Sequence, residues 1–424
     1  MLDKIQKIGS FNQNILIVFA GTSVLSFFNL LYQLLIAHKL PASEFASFNS
    51  LLSVYILIFS PLSTIQTAVV KYSSEFNANN QLTKLKFLLS GLLKKAAVMG
   101  LITLLIFSLF ASRVINILKI HSVSCGYILA GLIALAWFIP VFSGAAQGLE
   151  LFGWFVSSSV ISGALKLIFA FILILLGFNI AGALSALLLS TVLGLAILYF
   201  PLRKFFQIKA EKEDINYREI FSYLFPVALA IFCFAALTNM DMVLVKYFFT
   251  QADSGIYSLA QMIGKIFLFL PAAISIVMFP KTCGLHAKKM DTLFTLKMSL
   301  LYVSGLCIIA LLIYNIVPAF ILLVLTGKTY AEPVLLGRLF AVSMSFFALL
   351  FVLISYSLSI NDLRFIKYLI VFTLLQVLGI MLFHRSLITI QVILCINSVS
   401  LFFIHFALVY LSPRKKLQVV KFAR

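Results

Sequence analysis

Three charged side chains stand inside long apolar stretches of this chain. Lys166 lies about 13 residues into a run of about 25 apolar residues, and Asp241 and Lys265 lie in two later consecutive runs. A charge at the centre of a bilayer costs about 2.5–3.5 kcal/mol on insertion scales, so it normally faces a partner or a water-filled cavity. Lysine can compensate an anionic group by charge and hydrogen bonding. We therefore predict that Lys166 lines a polar cavity, although it could instead pair with backbone carbonyls between helices.

Asp241 and Lys265 are predicted to meet. They lie on either side of a turn near Ala252, about 16 and 20 Å from it along two antiparallel helices at about 1.5 Å per residue. Similar depth allows a salt bridge or a water-bridged contact. Such a pair can serve transport, or it can only orient the two helices.

Further polar side chains recur at helical spacing in the apolar runs. Tyr257, Gln261 and Lys265 follow at i, i+4 and i+8 and would share one face of a helix. This stripe suits the wall of a polar cavity, and hydrogen bonding between helices is the alternative. Lys246, near the end of its run, is interpreted as an anchor at the membrane interface. The remaining candidates for the cavity wall are Asn29, Gln33 and Gln66.

Residues for covalent or metal chemistry are not arranged for it in the sequence. The five histidines form no cluster, the five cysteines form no CxxC pair, and no paired carboxylates occur. We find no nucleophile, metal-binding motif or phosphate-binding loop. The sequence therefore predicts a protein that is not an enzyme and uses no cofactor.

The composition indicates a polytopic membrane protein. Of 424 residues, 62% are apolar and 11% are charged, with a mean hydropathy of +1.12. The net charge of +19 lies mainly between apolar runs, so it favours membrane orientation over nucleic-acid binding. Stretches of about twenty residues predict an all-α protein with twelve transmembrane helices. The predicted spans are 15–37, 46–70, 92–112, 123–147, 153–177, 180–201, 221–249, 255–280, 293–315, 333–359, 365–383 and 387–411.

The distribution of basic residues predicts the orientation of these spans. With a cytoplasmic N-terminus, the inner segments hold 23 Lys and Arg residues and the outer segments hold 7. Cytoplasmic loops carry such an excess, so both termini are predicted to be cytoplasmic.

The basic connection at residues 203–219 divides the predicted spans into two sets of six. A shift of 209 residues aligns Glu44 with Asp253 and Phe48 with Tyr257, which indicates two repeats in the same orientation. Transporters with such repeats rock two bundles around a central cavity. The predicted organisation is an N-terminal bundle at 1–202, the linker at 203–219, a C-terminal bundle at 220–412 and a basic cytoplasmic tail at 413–424.

Five segments of the sequence form a recognisable series. They are LIAHKLPASEFASFNSLLS (35–53), AVVKYSSEF (68–76), GAAQGLELF (144–152), the stretch from NMDMVLVK to IVMFP (239–280) and LTGKTYAEPVLLGRLFA (325–341). Together they resemble the polysaccharide biosynthesis and export family of the multidrug/oligosaccharidyl-lipid/polysaccharide exporter superfamily. The resemblance implies a V-shaped twelve-helix flippase of the inner membrane with a central cavity. Its cargo would be an oligosaccharide on polyprenyl pyrophosphate, and its partners would be the bilayer and glycan polymerase machinery, with no nucleic acid.

Two other functions remain open from the sequence. A cation-coupled multidrug exporter of the same superfamily would need buried acids to bind its cations. Asp241 alone offers little for this purpose. A membrane glycan polymerase or ligase would need long catalytic loops outside the membrane, whereas the predicted outer connections are short. Peptidoglycan-precursor flippases of the superfamily usually have fourteen spans, which disfavours that branch.

Overall fold

The computed structural model describes residues 2–207, 217–269, 272–327 and 332–411. Side chains are described within these ranges except at 2–16, 217–223, 269, 272–273, 276–277, 280, 287 and 332. Much of the predicted linker and the whole basic tail lie outside the described residues. Every regular element in the described ranges is a helix, which confirms the all-α prediction.

Fifteen helices are present in the described part of the chain. They are α1 (Leu2–Lys39), α2 (Ala42–Ala78), α3 (Leu82–Ile117), α4 (Ser124–Ala136), α5 (Ile139–Gly148), α6 (Phe152–Leu175), α7 (Asn179–Phe206), α8 (Tyr217–Phe248), α9 (Gln251–Phe269), α10 (Ala272–Ala287), α11 (Leu293–Ile316), α12 (Pro318–Thr326), α13 (Glu332–Ser359), α14 (Ile366–Leu382) and α15 (Leu387–Tyr410).

Ten helical spans in the described residues are long and apolar enough to cross a membrane, counting α4 and α5 as one. The interruption between α4 and α5 precedes Pro140, whose ring nitrogen cannot donate to the carbonyl one turn earlier. The predicted span 255–280 corresponds to α9 and α10, and α14 is a shorter apolar helix. A multi-pass membrane protein is therefore confirmed, whereas the count of twelve and the cytoplasmic termini stay predictions.

The helices group into two compact units. The first contains residues 1–260 and 319–334, and the second contains 261–318 and 335–424. In the first unit, α6 packs on α7 and α1, while α2 packs on α8 and α5. In the second unit, α14 packs on α15 and α10 packs on α11. The predicted division into bundles at 1–202 and 220–412 stays a prediction.

Helix ends reproduce the internal repeat that the sequence suggested. α1 ends at Lys39 and α8 ends at Phe248, and α2 begins at Ala42 and α9 begins at Gln251. Both pairs of positions are separated by 209 residues, the shift that aligns Glu44 with Asp253. The two short connections between these helices are therefore equivalent positions of the repeat.

Glycine allows α5 to approach α2 closely. A Cβ atom at Gly148 would lie 2.6 Å from the Val70 carbonyl oxygen and 2.8 Å from Ser73 Cβ. Small residues permit such backbone approach in membrane helices, where packing rather than water drives association. The α2–α5 packing therefore depends on the absence of a side chain at Gly148.

Replacing Gly148 by valine is expected to destabilise the protein by about 1–3 kcal/mol, the usual cost of overpacking. The matched control is Gly153→Val, because a Cβ at Gly153 would meet nothing within 4 Å. Reversible unfolding in mixed micelles measures both variants. Equal stability of the two variants would show that α2 and α5 are not packed as described.

Candidate functional site

A close approach between α1 and α6 positions Lys166. A Cβ atom at Gly163 would lie 3.0 Å from Leu25 Cδ1, so α6 lies directly against α1 at this level. Gly163 precedes Lys166 by one helical turn on the same face of α6. The missing side chain thereby lets the lysine extend across to α1.

Lys166 contacts two residues of α1 that lie one turn apart. Its Nζ donates a hydrogen bond to Asn29 Oδ1 and stands 4.6 Å from the centre of the Tyr32 ring. The Tyr32 hydroxyl in turn donates to the Ala183 carbonyl oxygen of α7 at 2.8 Å. We call Asn29, Tyr32 and Lys166 the lysine cluster. The predicted candidates Asn29 and Lys166 are thus brought together.

The charge of the lysine cluster is not compensated by an acid. Lys166 is only 9% exposed, and among the described residues no carboxylate forms an ion pair with it. An amide oxygen and a ring face stabilise an ammonium without neutralising it. Asn29 is exposed, so an approaching group can reach the cluster from the α1 side. The arrangement can bind an anionic group.

A second polar region joins α2, α8 and α9. Asn49 Nδ2 donates to Ser258 Oγ at 2.8 Å, and the two residues are 209 positions apart. They are equivalent positions of the two repeats, so this hydrogen bond joins a residue of one repeat to its counterpart in the other. Nearby in the chain, a Cβ atom at Gly255 would lie 3.0 Å from Ala42 Cβ. We call Ala42, Asn49, Gly255 and Ser258 the α2–α9 contact.

Asp241 on α8 accepts a hydrogen bond from the Tyr257 hydroxyl of α9 at 2.8 Å. Both side chains are 0% exposed, so this carboxyl lies in the protein interior. Gln261 is also buried, and Lys265 is half-buried. In this conformation Tyr257 and Gln261 therefore do not present an open polar wall. The approach of Lys265 to Asp241 stays a prediction.

The two remaining candidates, Gln33 on α1 and Gln66 on α2, are half-buried. Neither side-chain amide forms a hydrogen bond with the described residues. Gln33 follows Asn29 by one turn and Tyr32 by one residue, so it stands next to the lysine cluster on α1. Both amides are available to a ligand.

The interpretation of Lys246 as an interface anchor is wrong. This side chain is 1% exposed, and its Nζ has no hydrogen-bond partner among the described residues. Nearby, Lys119 Nζ donates to the Phe249 carbonyl oxygen at 2.8 Å and covers the end of α8. The position of Lys246 near the end of an apolar run predicted an exposed side chain. In the structure, neighbouring elements pack over the end of α8 and bury this side chain.

Three side chains that make ring or hydrogen-bond contacts in these regions were not singled out from the sequence. Tyr32 follows Asn29 at i+3, a spacing that places it on the same helix face and could have indicated it. Asn49 and Ser258 are related by the 209-residue shift, but nothing in that shift indicates contact. Among the described residues, no group of three His, Cys, Asp or Glu side chains could hold a metal ion.

Comparison with known families identifies the chain. Residues 11–283 match the family described as polysaccharide biosynthesis protein, which covers more than half of the sequence. The chain belongs to this family. The resemblance noted in the sequence is thereby confirmed. A search of curated proteins found no match.

Solved structures with the same fold are transporters. An inward-facing multidrug resistance MATE family transporter of the MOP superfamily matches with a TM-score of 0.71 at 14% identity, over 92% of this chain and 97% of that chain. The lipid II flippase MurJ, in an inward closed conformation, matches with a TM-score of 0.72 at 12% identity, over 94% and 88%. A MOP superfamily transporter from Pyrococcus furiosus matches with a TM-score of 0.60 at 15% identity, over 92% and 93%.

This member of the polysaccharide biosynthesis protein family therefore shares its fold with these three solved structures. Family membership and the ten apolar helical spans of the described residues show a polysaccharide biosynthesis protein that crosses the membrane several times. Identities of 12–15% establish the fold and leave the cargo of this chain to be argued from its own residues.

Proposed function

We propose that this protein is a flippase that moves an oligosaccharide linked to polyprenyl pyrophosphate across the cytoplasmic membrane by alternating access. The translocated glycan would serve surface polysaccharide assembly. The observation that carries this proposal is Lys166, a membrane-embedded ammonium held by the neutral groups of Asn29 and Tyr32. Family membership supports a glycan as the cargo.

An uncompensated lysine suits an anionic cargo for an electrostatic reason. Pyrophosphate loses hydration when it leaves water, and a cation with free N–H donors replaces part of that hydration. Lys166 has three donors, of which Asn29 takes one. In the proposed cycle the phosphates and sugars pass along polar groups of the protein, while the polyprenyl tail stays in the bilayer.

The cation-coupled multidrug exporter is the second candidate, and one observation favours it. Asp241 is a fully buried carboxyl group, and such acids hold Na⁺ or H⁺ in transporters. Its hydrogen bond from Tyr257 gives it a structural function as well. Because the lysine cluster carries a positive charge, it would repel the cationic drugs that such exporters carry. We therefore favour the flippase.

The other proposed properties follow from the flippase. The protein would reside in the inner membrane with both termini cytoplasmic, work without a cofactor and deliver its product to glycan polymerase machinery. No chemical bond is made or broken in flipping, so we propose that the protein is not an enzyme.

Deletion of the gene tests the proposal in cells. Lipid-linked oligosaccharide is expected to accumulate on the cytoplasmic leaflet, and surface glycan is expected to disappear. Mass spectrometry of lipid extracts, combined with lectin or enzymatic access to right-side-out and inverted vesicles, measures both the amount and the side. A normal surface glycan in the deletion strain would contradict the proposal. Unchanged glycan with increased drug sensitivity would favour the exporter.

A further inference from the structure

One face of α2 carries an aromatic block that the contacts described above do not use. The rings of Tyr55 and Phe59 are parallel, with 8° between their planes and 5.6 Å between their centres. Both side chains are half-buried, so part of the block is open to its surroundings.

The same face of α2 carries unused hydrogen-bonding groups. The Tyr55 hydroxyl and the Gln66 amide form no hydrogen bond with the described residues. Residues spaced by four and seven positions lie on one helix face, so Tyr55, Phe59 and Gln66 are aligned along α2.

Water or a polar ligand must reach this face. Tyr55 lies 13 residues after Ala42, the first residue of α2, which is about 20 Å along the helix. The hydrocarbon core of a bilayer is about 30 Å thick, so this position is deep in the membrane. A hydroxyl group without a partner in hydrocarbon is costly. Water or a polar ligand at this face would supply the missing hydrogen bond and remove that cost.

The face leads towards the lysine cluster. Phe48 lies two helical turns before Tyr55 on the same face of α2, and its ring meets the Tyr32 ring edge-to-face at 5.9 Å between centres. Tyr32 is the ring under Lys166. The Tyr55–Phe59 block therefore lies on the helix face that also carries Phe48, which contacts the lysine cluster through Tyr32.

We propose that Tyr55 and Phe59 form a stacking platform for a pyranose ring of the cargo, with the Tyr55 hydroxyl and Gln66 as hydrogen-bonding groups. The C–H groups of a sugar ring carry partial positive charge and fit the negative face of an aromatic ring. Sugar hydroxyls need neutral donors and acceptors such as phenol and amide groups. The platform needs no charge, which separates it from the lysine cluster. The inference rests on the proposed function because it takes the cargo to be a glycan.

Saturation-transfer NMR tests the platform without any transport step. The full chain is placed in phospholipid nanodiscs, because a maltoside detergent would compete, and is offered glucose, galactose, N-acetylglucosamine and rhamnose separately. We expect transfer to the ring C–H protons of at least one sugar. The double variant Tyr55→Leu, Phe59→Leu is expected to reduce that transfer about tenfold, which corresponds to 1.4 kcal/mol.

Matched variants separate stacking from folding. Phe59→Tyr keeps both rings and the Tyr55 hydroxyl and is expected to retain the transfer. Tyr55→Phe keeps both rings but removes the hydroxyl, and it is expected to reduce the transfer less than the double variant does. Phe110→Leu with Phe171→Leu removes two exposed aromatic rings from α3 and α6 and is expected to leave the transfer unchanged. If the double variant does not fold, Tyr55→Leu alone provides the comparison.

Two results would overturn the platform. One is that no sugar receives transfer from the wild-type protein, and the other is that transfer survives the loss of the rings. If the proposed flippase function is wrong, a different experiment shows it: lipid-linked oligosaccharide does not accumulate in the deletion strain. The NMR result for Tyr55 and Phe59 is independent of whether that accumulation is observed.

Discussion

A disulfide between cysteines at positions 42 and 255 is expected to inhibit transport strongly. A Cβ at Gly255 would lie 3.0 Å from Ala42 Cβ, a separation that small adjustments bring into the range for a disulfide. The α2–α9 contact joins equivalent positions of the two repeats through the Asn49–Ser258 hydrogen bond. Such hydrogen bonds between membrane helices contribute only about 0.6 kcal/mol, so the contact can open readily.

The cross-link is expected to lower flipping about tenfold or more, because alternating access requires the conformation in which this contact is open. The background replaces the five native cysteines, and the single variants Ala42→Cys and Gly255→Cys are the controls. Oxidation should block only the double variant, and a reductant should restore it. Full transport by the cross-linked protein would mean that the α2–α9 contact is a fixed pivot.

Loss of the Lys166 charge is expected to reduce flipping about tenfold or more, since a hydrogen bond to a charged group contributes about 1.5–3 kcal/mol. Lys166→Met keeps most of the side-chain volume and should retain membrane insertion. Arg113→Met on α3 removes one exposed positive charge and is the matched control. Measuring lipid-linked oligosaccharide on each leaflet compares the two variants. A wild-type rate in Lys166→Met would show that the lysine only joins α1 to α6.

A change at Asn29 separates charge from contact. Asn29→Asp places a carboxylate at the oxygen that already accepts from Lys166, so the pair becomes neutral while the contact persists. We expect transport to fall as in Lys166→Met, whereas thermal stability should not decrease. Asn29→Gln keeps a neutral amide and should retain transport. Equal transport by Asn29→Asp and Asn29→Gln would contradict an anionic cargo at this cluster.

The sequence predicts a helical membrane protein because the two signals for it, the apolar composition of a run and its length, are local. Apolar runs of bilayer length require helices, since every backbone group must find its hydrogen bond within the segment. The end of α1 near Lys39 also follows a local signal, because Pro41 disfavours the helical conformation in the residue before it.

Candidate residues could be predicted in part. Lys166 and Asn29 stand out because polar groups in apolar helices are costly and therefore rare. Their contact with each other was not predicted, because it depends on Gly163 letting α6 approach α1. The pairing of Asp241 with Lys265 was inferred from depth alone and stays a prediction, and the contact of Asp241 with Tyr257 was not predicted.

The sequence by itself determined what each helix contains and which residues share one face, because helical periodicity is a property of the chain. Only the tertiary structure decided which faces meet. It buried Lys246 beside Lys119, joined Asn49 to Ser258 and placed the Tyr32 ring under Lys166. The rotation and partner of each helix depend on interlocking side chains from distant parts of the chain, and no local pattern encodes that choice.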